Sequence, residues 1–540
     1  MIEVLIQRTL PPLGGSVTPP FHDARSARDW LKLLPMINVP VAHDEILKSI
    51  TQLNQSDLDS LDTLKIIEQF RESVHTLQEG MLAKLMGKPL PLSTEELQHW
   101  QLAHALWRQM ESCYGRLWHA ASKNYPGVAE FLPLLAERTL YYACSNIIHL
   151  AHIYRKPLDK QWRQLFAYYE LACEQHIEKL KARDSLIEIS GVSTAEQQFL
   201  HALLFSAANI HQYTLKQQLW LNKRLEIFAA RSTLSKEAAT LPNRAAQYID
   251  LKAPSAPLRR QNARADSELE IDTLALAHII SKRIKLLRMG EMPEKIGLGK
   301  ELAPQATEEM LRDLYRVWCD TPVDRSLPRR SNQRELETAL GIGNIHSWLA
   351  TDHYLPPPQS EQTMSSVELM HLRMFGQTRS KSHTAEEPLA ETEHWQINNE
   401  TAQGLCLQRE HDQHQRMQLQ QFMLIADGNT RLAGLIRWLA DNENMREVGI
   451  ELLPGTPAAA AIRAQDAARF GQSDFTKVLL LGAVPALQVP VSLITPPGWF
   501  RQGRLLDFWD GQHMHRIRLV SVLGRGNDFE RIHFVASGGL

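Results

Sequence analysis

The chain has 540 residues, too many for one hydrophobic core, and its length sets a prior of roughly three or four domains. Hydrophobic residues at 44% and charged residues at 22% give an ordinary globular balance, and 59 Lys+Arg against 61 Asp+Glu leave a formal net charge of −2. That near-neutrality argues against a general electrostatic grip on nucleic acid and leaves room only for a local basic patch.

The five cysteines, Cys113, Cys144, Cys173, Cys319 and Cys406, are odd in number and never in C-x-x-C spacing. They point away from a disulfide framework or zinc site and toward a reducing compartment. The start, Met1-Ile2-Glu3-Val4-Leu5, lacks a basic region followed by a long apolar run. No apolar run approaches the roughly 18 residues of a membrane helix. The expectation is a cytoplasmic chain without a membrane span.

In chain order, prolines at Pro11-Pro12 and Pro19-Pro20 break the first 40 residues, with a short helix expected over Asp29–Leu34. From Asp44 to Ser232 the pattern is helical. Ile67, Phe70, Val74, Leu77 and Met81 recur at alternating spacings of three and four, one face of a helix. Ser93-Thr94-Glu95-Glu96 reads as a capping box opening a helix with Trp100, Ala103, Trp107, Met110, Tyr114 and Leu117 on one face. Ser193-Thr194-Ala195-Glu196 reads as another, opening a long helix to about Ala230. Further helices are expected around Ala129–Arg155 and Lys160–Ala182. Long amphipathic helices with short joints predict hairpins in a bundle over 1–232. Residues 233–268, punctuated by Pro242, Pro254 and Pro257, read as a linker. A helical connector over 269–322 follows, with helices at Glu270–Met289 and Thr307–Cys319.

After Pro322 the runs become short and alternating, which predicts strands. The candidates are Glu337–Ile345, Trp395–Ile397, Gly404–Gln408, Gln420–Ala426, Leu432–Trp438 and Val448–Leu453, within a β-barrel domain over 323–455. A polar insert at 356–392, opening Pro356-Pro357-Pro358, reads as a flexible excursion. An alanine-rich segment then leads into a second β-rich domain over 456–540. Its expected strands are Val478–Val484, Val489–Ile494, Arg504–Trp509, Arg516–Leu523 and Phe529–Val535. The fold class is α+β multidomain, helices first and strands last.

Two short motifs carry chemistry. Arg329 and Arg330 are followed by Arg334, giving Arg330-x-x-x-Arg334 just before a strand. Guanidinium forks suit phosphate oxygens and the O6/N7 edge of guanine, and their flat faces stack on bases. The same spacing recurs at Arg260-x-x-x-Arg264, so from the residues alone an anion clamp and a chance spacing both stand. Asn399-x-Thr401-x-x-Gly404 follows; it offers a carboxamide, a hydroxyl and a glycine, and equally fits a tight β-turn. The histidines His149, His152, His201 and His211 lie in apolar helical settings, with no Cys or carboxylate completing a zinc set. No Gly-x-x-x-x-Gly-Lys-Ser/Thr loop or Gly-x-Ser-x-Gly elbow is present, and Gly341-Ile342-Gly343 lacks a third glycine. The aromatics of the helical half sit at helical spacing, as core residues do.

The order of motifs adds a resemblance. Arg330-x-x-x-Arg334 precedes Asn399-x-Thr401-x-x-Gly404-Leu405, then Gly434-Leu435-Ile436-Arg437-Trp438, then Val448-Gly449-Ile450-Glu451-Leu452. Over Arg325–Pro454 this resembles the PilZ family, small β-barrels whose members commonly bind the bacterial second messenger cyclic di-GMP. The resemblance implies that Arg330 and Arg334, beside Arg329, hold guanine faces and phosphates. It implies that Asn399 and Thr401 engage the other side of the same guanine, and that Gly404 permits the turn. Thr401 stands where the family usually has Ser, with the hydroxyl kept. Arg334 and Asn399 are 65 positions apart, a wider gap than the family's, so the insert must loop out and leave the two strands adjacent.

The expected function is a non-enzymatic cyclic di-GMP receptor, without cofactor or metal, that relays binding to the helical half as output or docking module. A protein partner of unknown identity is expected there, and no specific nucleic acid. The rival is a helical scaffold whose degenerate barrel binds protein instead of nucleotide.

Overall fold

The local signals of the helical half become helices with identifiable caps. The computed structural model describes the chain apart from residues 1, 12–14, 189, 237–245, 261–266, 321–333, 351–353, 358–372, 375–389, 411–414, 443–444, 466–473 and 538–540. Arg329, Arg330 and most of the 356–392 insert therefore lie outside the described residues. The chain divides into two units, Met1–Asp324 and Arg325–Leu540.

In the first unit, Ser93 caps the 29-residue helix Thr94–Ser122. Its Oγ accepts from the Glu96 amide (3.3 Å), and the Glu96 carboxylate accepts from the Ser93 amide (2.8 Å). The second expected box is displaced by one residue: Thr194 and Gln197 form it. The long helix expected to Ala230 is two helices, Ala195–Ala207 and Leu215–Ala229. Asn209 turns left-handed at φ 54°, and a further box, Thr214 with Gln217, restarts the chain. Asp23 similarly caps Ala24–Lys32, upstream of the helix expected at Asp29–Leu34.

The described residues of the stretch read as a linker include strands, and a smaller pair precedes them. Ala182–Arg183 (β1) and Val192–Ser193 (β2) form a small pair. Thr233–Ser235 (β3), Ala246–Asp250 (β4), Leu258–Arg260 (β5) and Glu268–Asp272 (β6) form a four-stranded sheet in the order β3-β6-β4-β5. Its Ile249, Leu269 and Ile271 join the same apolar core as the helices, as do Leu276 and Ile280 of the following helix Leu274–Arg288. Trp318, from the helix Pro304–Trp318, donates its indole N–H to the Leu204 carbonyl (3.0 Å). The sheet is hidden in the sequence because Glu268 and Glu270, on the face of β6 opposite Leu269 and Ile271, are buried carboxylates that read as surface.

In the second unit the first barrel comprises Glu335–Leu340 (β7), Glu393–Thr401 (β8), Gly404–Glu410 (β9), Phe422–Asp427 (β10), Thr430–Asp441 (β11) and Met445–Leu453 (β12). It closes in the order β10-β11-β12-β9-β8-β7, with β10 pairing β7. The strand expected over Glu337–Ile345 stops at Leu340. Gly341 takes φ 83° and the chain enters the helix Ile342–Leu349.

The second barrel comprises Pro457–Ala464 (β13), Thr476–Leu481 (β14), Ser492–Thr495 (β15), Leu505–Trp509 (β16), Met514–Arg525 (β17) and Glu530–Ala536 (β18), closed in the order β13-β14-β15-β18-β17-β16. Its first strand is the alanine-rich segment; Ala460 and Ala464 lie in the barrel's apolar core with Ile462, and Ala459 and Ala461 are buried on the other face. The barrels share a cluster including Phe422, Leu424, Leu481, Ile494 and Phe529, and the Phe422 amide donates to Asp528 Oδ1 (3.0 Å).

Candidate functional site

The site grows from one strand pair. β7 and β8 run antiparallel, with Glu335 opposite Gln396 and Leu336 opposite Trp395. Just before β7, the Arg334 carbonyl accepts from the Ile397 amide (2.9 Å). The insert therefore leaves Arg334 one bulge away from Asn399. The bulge is real: Ile397 faces Leu407 but Asn399 faces Cys406, so Asn398 is the extra residue. Asn399 is half-buried, and among the described residues its carboxamide has no hydrogen-bond partner.

Arg334 is 44% exposed, and its Nη2 donates to Glu400 Oε2 (3.0 Å) and lies 2.9 Å from Asp427 Oδ2. Glu400 is on β8 beside Asn399. Asp427 ends β10, which closure of the barrel brings beside β7. Sequence reasoning missed both carboxylates. Glu400 was visible inside the motif, whereas Asp427 carries no local signal, because only the β10–β7 closure makes it a neighbour.

Thr401 and Gly404 flank the two-residue turn between β8 and β9. The Thr401 hydroxyl donates to the Gly404 carbonyl (3.2 Å) and accepts from the Gln403 amide (3.3 Å), so it shapes the hairpin. Gly404 is not among the positive-φ glycines. A Cβ there would lie 2.6 Å from the Ile450 carbonyl oxygen of β12, so the glycine allows two backbones to approach. The downstream motif has a packing explanation too: a Cβ on Gly449 would fall 1.8 Å from Trp438 Nε1. Arg437 bulges between β11 and β12 and pairs with Glu451 (2.7 Å).

A second polar concentration lies inside the helical unit. Arg71 donates both Nη atoms to Asp184 (2.7 and 3.0 Å). Arg138 reaches Asp184 (2.9 Å), Glu137 (2.6 Å) and Glu68 (3.1 Å). Both arginines are 2% exposed. Gln198 donates to Glu137 and Tyr114 to Glu68. Burial pushes the Glu137 carboxyl up. Burial would also raise Asp184, but hydrogen bonds and charge from Arg71, then the charge of Arg138, outweigh it and hold the carboxyl below its ordinary range. These groups satisfy one another and present no free fork to a ligand.

His43, His149 and His152 are buried, and His104 stacks with His149 and Trp100, the three near-parallel rings 4.9–5.6 Å apart. Burial pushes His43 and His104 down to about 4 and His152 to about 3.

The fold and site together define an α+β protein with two closed antiparallel barrels, the first carrying Arg334, the Asn399 carboxamide and the Thr401–Gly404 hairpin along β7, β8 and β9. Comparison with known proteins then narrows the class. Residues 25–239 match the family described as the N-terminal domain of the cyclic-di-GMP receptor FimW, and residues 460–537 match the FimW C-terminal beta-barrel domain. The first barrel falls between the two matched segments. A curated relative, the cyclic-di-GMP receptor FimW of Pseudomonas aeruginosa, is 22% identical over 553 aligned residues, covering 94% of this chain and 89% of the relative. No helix among the described residues is long and apolar enough to cross a membrane.

Proposed function

We propose that the chain is a non-enzymatic cyclic di-GMP receptor, with the dinucleotide held at the rim of a PilZ-like first barrel. The observation that carries this reading is the β7–β8 pairing, which brings Arg334 opposite Ile397, two residues from Asn399, although Arg334 and Asn399 are 65 positions apart in sequence. The Arg334 fork supplies charge and paired donors to a phosphate or a guanine edge. The Asn399 carboxamide offers a donor and an acceptor to the other side of a base. Arg329 and Arg330, five and four residues upstream of Arg334, supply the remaining forks. Thr401 and Gly404 set the hairpin that aims Asn399. The name of the relative and the descriptions of both matched families add support, since the relative aligns with nearly the whole chain. No cofactor enters this reading, and the helical unit is the surface from which a protein partner is engaged.

The test is isothermal titration calorimetry of the full chain with cyclic di-GMP, with GTP as control. Tight binding that is lost in Arg334→Ala supports the receptor. Absence of heat at high ligand concentration overturns it and favours a barrel that binds protein.

A further inference from the structure

The geometry points to a carboxylate latch: Glu400 and Asp427 occupy Arg334 in the unliganded chain, and an anionic ligand binds by exchanging those carboxylates for its own phosphate oxygens. This rests on the receptor reading and adds to it the step that sets affinity.

Arg334 Nη2 is bridged at 3.0 Å to Glu400 and 2.9 Å to Asp427. The two carboxylates come from different strands, β8 and β10, which flank β7 on its two sides. The contact therefore ties three neighbouring strands at the end of the barrel where the site lies. A phosphate diester presents the guanidinium with the same paired-oxygen geometry as a carboxylate, so ligand and latch compete for one fork. Two carboxylates within reach of that fork also repel an incoming dianion until they give way.

The exchange is feasible because the trio is wet. Arg334, Asp427 and Glu400 are 44%, 34% and 21% exposed, so water rehydrates the released carboxylates. Buried Asp184 and Glu137 have no such route. Each half of the latch is then a weak, solvent-screened pair, strong enough to lower ligand affinity and too weak to prevent binding. Release also unties the β10–β11 turn from β7 and β8, which gives binding a structural consequence within the barrel.

The experiment uses the full chain with Asp427→Asn, Glu400→Gln and the double variant, near-isosteric changes at partly exposed positions. Two readouts are taken. In calorimetry with cyclic di-GMP, each single change tightens binding by about two- to fivefold and the double change by about tenfold. Unchanged or weaker binding in the double variant overturns the latch; weaker binding would instead make the carboxylates contacts to guanine N–H groups. The second readout needs no ligand: the rate at which phenylglyoxal modifies Arg334, followed by peptide mass spectrometry. A faster rate in the double variant supports the latch, and an unchanged rate overturns it. If no protein binds cyclic di-GMP, the receptor reading fails and the modification rate still decides the latch.

Discussion

Two arginine–carboxylate clusters in this molecule look alike in bonding and differ in what surrounds them. In the helical unit Arg71 and Arg138, each 2% exposed, meet Asp184 with every fork engaged. In the first barrel Arg334 meets Glu400 and Asp427 at similar distances but is 44% exposed. Burial decides the role. A charge without water must keep its partners, because losing one leaves an unpaired ion in a low-dielectric interior. A charge at a rim can trade partners at little cost. The same residue types thus make a fixed tie in one unit and an exchangeable contact in the other.

The largest expected effect breaks the buried cluster. Asp184→Ala should destabilise the chain by about 3–5 kcal/mol, read as a lower denaturant midpoint for loss of helix signal. A change under about 1 kcal/mol would place this cluster with ordinary surface pairs.

Acidification comes next and also strikes the helical unit. His43, His104 and His201 are pushed down to about 4, His152 to about 3, and His149 well below its ordinary value, all by burial first. Their unfolded forms take up protons near pH 6.5 while the folded forms stay neutral, so their stabilisation is present above about pH 6.5 and is lost as pH falls toward 4. Glu111 and Glu226, pushed up to about 7 by burial, act in the opposite sense and offset about two of these imidazoles. Each imidazole that stays neutral in the folded chain should cost up to about 1.4 kcal/mol per pH unit in that window. Denaturation midpoints measured from pH 7 to pH 4.5 check this; a flat profile would mean that the imidazoles are hydrated in the folded chain.

A smaller effect separates stability from binding at the rim. Arg334→Ala should change unfolding stability by less than about 1 kcal/mol while costing about 2 kcal/mol or more of cyclic di-GMP binding. A melt as damaged as that of Asp184→Ala would make Arg334 a structural tie. The smallest expected effect is none: Arg260→Ala, in the second Arg-x-x-x-Arg spacing, should leave binding unchanged, and loss there would mean that the other arginine pair holds the ligand.

Much of the architecture was legible. Period-three-and-four runs gave the helices, and alternating runs gave most barrel strands within a few residues, because both patterns follow from which side chains must be buried. Failures came where local chemistry contradicted burial. Glu268 and Glu270 disguised a buried strand, alanines disguised β13, and Asn209 interrupted an apolar pattern that ran on as if helical. At the site, Asn399, Thr401 and Gly404 were conspicuous as residues, but Gly404 serves a close backbone approach to Ile450 and the Thr401 hydroxyl serves its own turn.

By itself the sequence determined the division into helices and strands, the caps that start many helices, and the residue types available to an anion. Those properties are local, set by neighbours a few positions apart. Only the tertiary structure decided that Arg334 lies opposite Ile397 and reaches Glu400, that Asp427 shares its guanidinium, and that Asp184 is sealed between two arginines. Each of these joins residues dozens of positions apart through barrel closure or helix packing, and no local pattern encodes which distant strands become neighbours.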